Sequence, residues 1–158
     1  MHSRIFSVTT NKKKATEFDL PDWSLYEDMV GVRGSIVDYV SYSDDEDYDV
    51  EWFADVPGID VDTKEKSFVV EDPYAYFKNK YEAFKKALSE LSEITFTEFV
   101  NDRKRSRLYN LKTSYEDELS FYIYIIDDDS LISLDRFVRY HGDSSKRYYI
   151  GKTYDYHF

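Results

Sequence analysis

The side chains best able to do chemistry in this chain are its carboxylates and its three histidines. Asp45, Asp47 and Asp49 stand at i, i+2 and i+4, the spacing that begins a calcium loop. Such a loop needs Gly at its sixth place and a bidentate Glu at its twelfth. Val50 and Val56 occupy those places here, so no metal site is expected. His141 lies two residues before Asp143, a base beside a carboxylate, and His157 falls in the same last segment, where a hairpin would bring the two histidines together. No G-x-S-x-G, P-loop, G-x-G-x-x-G or H-E-x-x-H supplies a nucleophile, a phosphate cradle or a metal pair. Asp127–Asp129 follows an apolar run, where sites often lie, but Asp is favoured in turns and at helix starts for local reasons. Thirty-two acids guarantee chance pairs, so paired-carboxylate glycoside chemistry is not indicated by counting. The expectation is a protein that is not an enzyme and carries no cofactor, with a small enzyme built on His141 or Asp127–Asp129 as a distant alternative.

What does stand out is charge. Residues 42–62, YSDDEDYDVEWFADVPGIDVD, contain nine acids and neither Lys nor Arg. Residues 17–62 hold fifteen acids against Arg33 alone, whereas residues 1–16 hold four bases and no acid. The net charge is −11, and nearly all of the excess sits in one third of the chain. Clustering like charge costs stability through self-repulsion, and a solubility device would spread it instead. A concentrated run suits a surface that meets a positively charged partner, attracting it over distance and weakening as salt rises.

Period-2 alternation predicts a half-buried strand over 48–56. Tyr48, Val50, Trp52, Ala54 and Val56 then face the core, and Asp49, Glu51, Phe53 and Asp55 face water. Two strand residues advance by about 6.6–6.8 Å, so Asp49 and Glu51 would stand in a line resembling successive phosphates. The turn acids Asp44, Asp45, Glu46 and Asp47 would extend this line at one end, and Asp60 and Asp62 at the other. Tyr48 and Phe53 add aromatic anchors, Phe53 being the better interface candidate and Trp52 a core residue.

Elsewhere, RKRSR at 103–107 is a basic cluster. In so anionic a chain it does not point to direct nucleic-acid binding. It suits a helix C-terminal end, or docking on an acidic surface of the same or a neighbouring chain. Cys is absent, which excludes disulfides and thiolate chemistry and fits a reducing cytoplasm. The N-terminus lacks the apolar run of a secretory signal, and no segment has the ~20 apolar residues of a membrane span.

These groups must be positioned by the elements around them. Residues 4–10 predict a strand and NKKK a polar turn; 18–29 is turn-rich around Pro21. A strand over 29–42 is interrupted by Gly31 and Gly34, and KSFVVE predicts another. Asp72-Pro73 caps a helix whose apolar positions recur at spacings of 3 and 4 from Tyr74 to Leu91. Thr95 and Glu98 form a capping box opening a second helix toward Tyr109. LSFYIYII at 119–126 predicts a central strand, 130–141 leans to strand, and 147–158 is a closing strand with Gly151 at a bulge. The fold class is therefore α+β: one domain over 1–158, antiparallel sheet from both ends of the chain against two central helices.

In size and charge the chain resembles the small nucleic-acid mimics that phages and mobile elements direct against restriction or CRISPR nucleases. The resemblance is compositional, covers mainly residues 38–62 and carries no motif. It implies occupancy of the basic surface of a nucleic-acid-binding protein, in the cytoplasm and without turnover. An immunity protein or antitoxin capping a basic nuclease toxin shares this physics with a single partner, and a structural protein of a phage or mobile element is a further reading. A homodimer would extend the surface, though nothing in the sequence requires one.

Overall fold

The computed structural model describes residues 2–20, 39–101, 104–115 and 121–157. The architecture is α+β. In chain order the elements are β1 (His2–Thr9), α1 (Lys12–Glu17), β2 (Tyr39–Tyr42), α2 (Glu46–Ala54), β3 (Ile59–Asp62), β4 (Ser67–Val70), α3 (Pro73–Ser92), α4 (Phe96–Val100), α5 (Lys104–Tyr115), β5 (Tyr122–Ile125), β6 (Ser130–Ser133), α6 (Leu134–His141) and β7 (Tyr148–His157). The strands form one mixed sheet in the order β3-β4-β7-β1-β5-β6, with β2 on the β4 side of β7. β1 and β5 run parallel and every other pairing is antiparallel. The expectation of a purely antiparallel sheet is corrected by that one pair. The expected strand over 29–42 is present as β2, and its earlier part lies outside the described residues.

The long strand β7 organises the sheet. Phe6 pairs with Thr153 and Val8 with Ile150, so β7 carries one residue more than β1 in this interval. That bulge reverses which parity faces which side. Tyr148 and Ile150 join a core with Phe6, Phe53, Phe68 and Phe137, whereas Tyr154 and Tyr156 join one with Ile5, Val40 and Tyr124. Gly151 occupies the bulge, as its sequence position suggested. A Cβ there would meet the Ala15 carbonyl oxygen at 2.8 Å, so only Gly lets α1 lie this close.

Three local readings are overturned. NKKK begins a helix, because Asn11 caps it by accepting from the Lys14 amide at 3.1 Å. The segment 130–141 is a short strand and then α6, capped by Ser133, burying Leu134, Asp135, Phe137 and Val138 at helical spacing. The helix expected from Thr95 to Tyr109 is two, α4 and α5, with the capping box present in full at the start of α4.

The two central helices sit more loosely than expected. α3 is anchored to α6 through its first two turns, where Tyr76 Oη donates to Asp135 Oδ1 at 2.5 Å and Lys80 pairs with the same carboxylate. Further along, its neighbour is α5. Together α3, α4 and α5 form a helical arm.

Candidate functional site

The acidic run folds as helix α2 rather than as a strand. Asp45 is the N-cap, its side chain accepting from the Tyr48 amide at 3.0 Å, and Glu46, Asp47 and Asp49 fill the first turn. Carboxylates there meet the positive end of the helix dipole and the free amides. Asp49, Val50 and Phe53 form the inward face. Tyr48 and Trp52, four apart, sit on one outward stripe, and it was this helical pair that imitated one parity of a strand.

The roles of several residues are therefore corrected. Phe53, expected on the water face, is 0 % exposed and packs on Phe6 with ring centroids 4.6 Å apart. Trp52, expected in the core, is 37 % exposed, and Tyr48, given the core parity of a strand and yet counted as an anchor, is 58 % exposed. Asp49 is fully buried and cannot belong to an outer surface. It accepts from Arg4 Nε and, at 2.7 Å, from Thr153 Oγ1. Arg4 also reaches Asp155 at 2.5 Å and lies 5.5 Å from the Trp52 ring centroid. One acid of the run is thus spent on pinning the helix to β1 and β7. Burying this charge is tolerated because each carboxylate oxygen has a partner, a guanidinium on Oδ1 and a hydroxyl on Oδ2.

Two more acids are partly neutralised at the helix N-terminus. Lys66 Nζ lies 2.8 Å from Asp47 and 3.5 Å from Glu46, and Lys152 Nζ lies 3.4 Å from Glu46. These acids hold the Lys66 ammonium above its ordinary pKa, with the Asp47 hydrogen bond the main cause. Lys66 takes up φ 46°, a backbone conformation usually left to Gly or Asn, at the end of the β3–β4 turn. A pocket of about 300 Å³ beside it is lined by Lys12, Lys64, Lys66, Lys152, Glu46 and Glu65 among others. The Lys12–Glu65, Lys66–Glu46 and Lys152–Glu46 pairs lie along it, so its charge is balanced in part, four lysines facing two glutamates.

What remains outward is a ridge. Asp47, Glu51 and Asp55 are exposed at i, i+4 and i+8, each about 6 Å of helix axis from the next. Asp44 and Asp45 stand at one end. From the other end β3 runs back alongside α2 and exposes Asp60 and Asp62. β3 is an edge strand, where charge also blocks unwanted pairing. Asp62 holds the following turn through the Lys64 and Glu65 amides, at 3.1 and 3.0 Å. Among the described residues, Asp44, Glu51, Asp55 and Asp60 have no cation within ion-pair distance.

The other candidate groups are occupied structurally. Asp127 accepts from Lys14 and Thr9, both at 2.6 Å, and the Lys14 bond foremost holds its carboxyl below the usual range. Asp129 accepts from Tyr124 Oη. Asp143 caps a turn through Ser145. His141 stacks on Phe137, at centroids 5.5 Å apart, near the start of β7; His157 ends that strand and instead meets His2 at 4.9 Å. A strand of this length separates its ends by about 30 Å, so the two histidines expected to pair do not. Of the basic cluster, Arg107 donates to the Glu90 carbonyl at 2.6 Å and to Glu98 at 3.0 Å, locking the arm together; Arg103 lies outside the described residues. Among the described residues no group of three or more acids or histidines is arranged to hold a metal ion, and no helix is long and apolar enough to cross a membrane.

No protein-family model matches the chain, and no curated protein or solved structure is detectably similar to it.

Proposed function

We propose that the protein is an acidic inhibitor that occupies the basic groove of a nucleic-acid-binding enzyme in the cytoplasm, its carboxylates standing in for phosphates. The observation that carries this reading is the outward ridge of Asp47, Glu51 and Asp55, continued by Asp60 and bordered by exposed Tyr48 and Trp52. Carboxylates spaced along a rigid helix need no reordering on binding, which lowers the entropic cost of association. Binding by occupancy requires no turnover and no cofactor. Tyr48 and Trp52 favour a second reading, an immunity protein with one cognate nuclease, because aromatic anchors confer shape selectivity that charge does not.

The test compares wild type with a variant carrying Asp44→Asn, Asp47→Asn, Glu51→Gln, Asp55→Asn and Asp60→Asn, which leaves Asp49 and the caps Asp45 and Asp62 in place. Both are used as bait and eluted with rising salt or with duplex DNA, and the retained enzymes are assayed for inhibition. The expected result is that wild type alone retains and inhibits nucleic-acid enzymes and that DNA displaces it. Many targets indicate the mimic and one target the immunity protein. Equal retention by both baits, or inhibition that DNA does not relieve, overturns the reading.

A further inference from the structure

The helical arm leaves an apolar face without a partner among the described residues. Tyr74, Phe77, Tyr81, Phe84, Leu88 and Leu91 repeat at 3 and 4, two rows of a heptad pattern. One row, Phe77, Phe84 and Leu91, is half-buried; Phe84 meets Tyr115 of α5 edge-on at 6.2 Å, and Arg139 lies 4.8 Å over Phe77. The other row, Tyr74, Tyr81 and Leu88, faces outward, with Tyr74 88 % exposed. Phe96 at the tip is 83 % exposed, and Val100 follows it. A continuous row of exposed apolar side chains rimmed by charge is characteristic of a docking site.

The charge beside this face identifies what covers it. Lys78 and Lys85 sit about 40° around the helix from the exposed row, on its outer flank, and both are exposed. The arm, residues 73–115, carries nine bases and five acids; the remainder of the chain carries twelve bases and twenty-seven acids. Two arms packed face to face would set Lys78 and Lys85 against their own copies, a like-charge contact that opposes such pairing. The fitting occupant is a helix with exposed aromatics and an acidic flank. α2 has both: Tyr48 and Trp52, with Glu51 and Asp55 beside them.

We infer that the arm docks on α2 of a second copy of this chain, each copy's arm receiving the other's α2 about a twofold axis. The contact is isologous and closed, so it yields a dimer and not a filament. It rests on the same acidic face as the proposed function and regulates it: the dimer covers the ridge, and a basic target must displace the arm to reach it. The arm is then a built-in competitor that keeps an acidic, aromatic surface from unspecific partners.

The experiment is analytical ultracentrifugation of the full chain over a range of protein and salt concentrations, with no target present. Wild type is compared with an arm variant, Lys78→Glu with Lys85→Glu, and an α2 variant, Glu51→Lys with Asp55→Lys. All four positions are exposed, and circular dichroism checks that each variant folds as wild type does. Wild type is expected to dimerise and to dissociate as salt rises. Each variant alone is expected to dimerise at least about tenfold more weakly, since like charges then face each other at both contacts. Mixed in equal amounts, the two variants are expected to regain a dimer, because both contacts again pair opposite charges. A wild type that stays monomeric, an α2 variant that dimerises like wild type, or a mixture that stays monomeric overturns the inference. Because no target takes part, this result and that of the inhibition assay stand or fall separately.

Discussion

Asp49 and Glu51 are two residues apart in one acidic run, yet they carry different free energies. Replacing Asp49 by Ala removes one of the two carboxylates that Arg4 meets and strands the Thr153 hydroxyl, which is expected to cost about 2 kcal/mol in urea unfolding. Glu51→Gln, on the open flank, is expected to change stability by less than about 0.5 kcal/mol. The buried tyrosines Tyr154 and Tyr156 make a further residue-scale prediction. Burial pushes both phenols well above their ordinary pKa of 10.0. A raised folded pKa contributes stability that is complete below pH 10 and is lost as pH rises toward the folded value. Tyrosinate absorbance at 295 nm should therefore stay incomplete above pH 10 until far-ultraviolet circular dichroism collapses; a full titration of the folded protein would contradict this. Asp127 works in the opposite sense. Its depressed pKa stabilises the fold above the ordinary carboxylate range and ceases to do so as pH falls through the lower folded value. Asp127→Asn should thus lower the melting temperature at pH 7 and lose its effect in strong acid. The change is small, because the side chain is 44 % exposed and solvent screens it.

At the scale of elements, the turns flanking β3 decide how the acidic surface is presented. Gly58, at φ 78°, lies in the turn from α2 to β3, and a Cβ there would meet the Asp72 carbonyl oxygen at 2.1 Å. Gly58→Ala is expected to destabilise by about 2 kcal/mol or more and to loosen α2 from the start of α3. Lys66→Gly tests the opposite case. Gly relieves a left-handed backbone worth about 1 kcal/mol and forfeits ion pairs of similar or smaller worth. The variant should match wild type in low salt and exceed it in high salt, where the ion pairs are screened; equal destabilisation at all salt concentrations would show that Lys66 holds the turn by other means. The long helix α3, with Asp72 and Pro73 at its start, and the capping box at Thr95 were legible because caps and periodicity are local. The helix α2 was not, since Tyr48, Trp52 and Val56 at steps of four coincide with one parity of a strand. The signal that distinguishes them is Asp45 ahead of an acid-filled first turn.

Across the whole molecule, the acidic body and the basic arm oppose each other. Self-repulsion within the body predicts that wild type gains thermal stability as salt rises from low to physiological strength. The variant lacking the five outward carboxylates is expected to show a smaller gain, and differential scanning calorimetry at two salt concentrations checks this. The sequence by itself determined the α+β class, the main helix of the arm, the bulge at Gly151 and the confinement of charge to one segment. These follow from spacing, caps and composition, which act within a few residues. Only the tertiary structure decided that Asp49 turns inward, that Phe53 and Trp52 exchange their expected places, and that the arm's outer apolar row is exposed among the described residues. Each depends on which distant strand or helix lies opposite: Arg4 and Thr153 for Asp49, Phe6 for Phe53, and α5 for the inner row of α3. Arg4 and Thr153 lie 45 and 104 residues from Asp49 and leave no local pattern, because their pairing is set by sheet order and the bulge in β7.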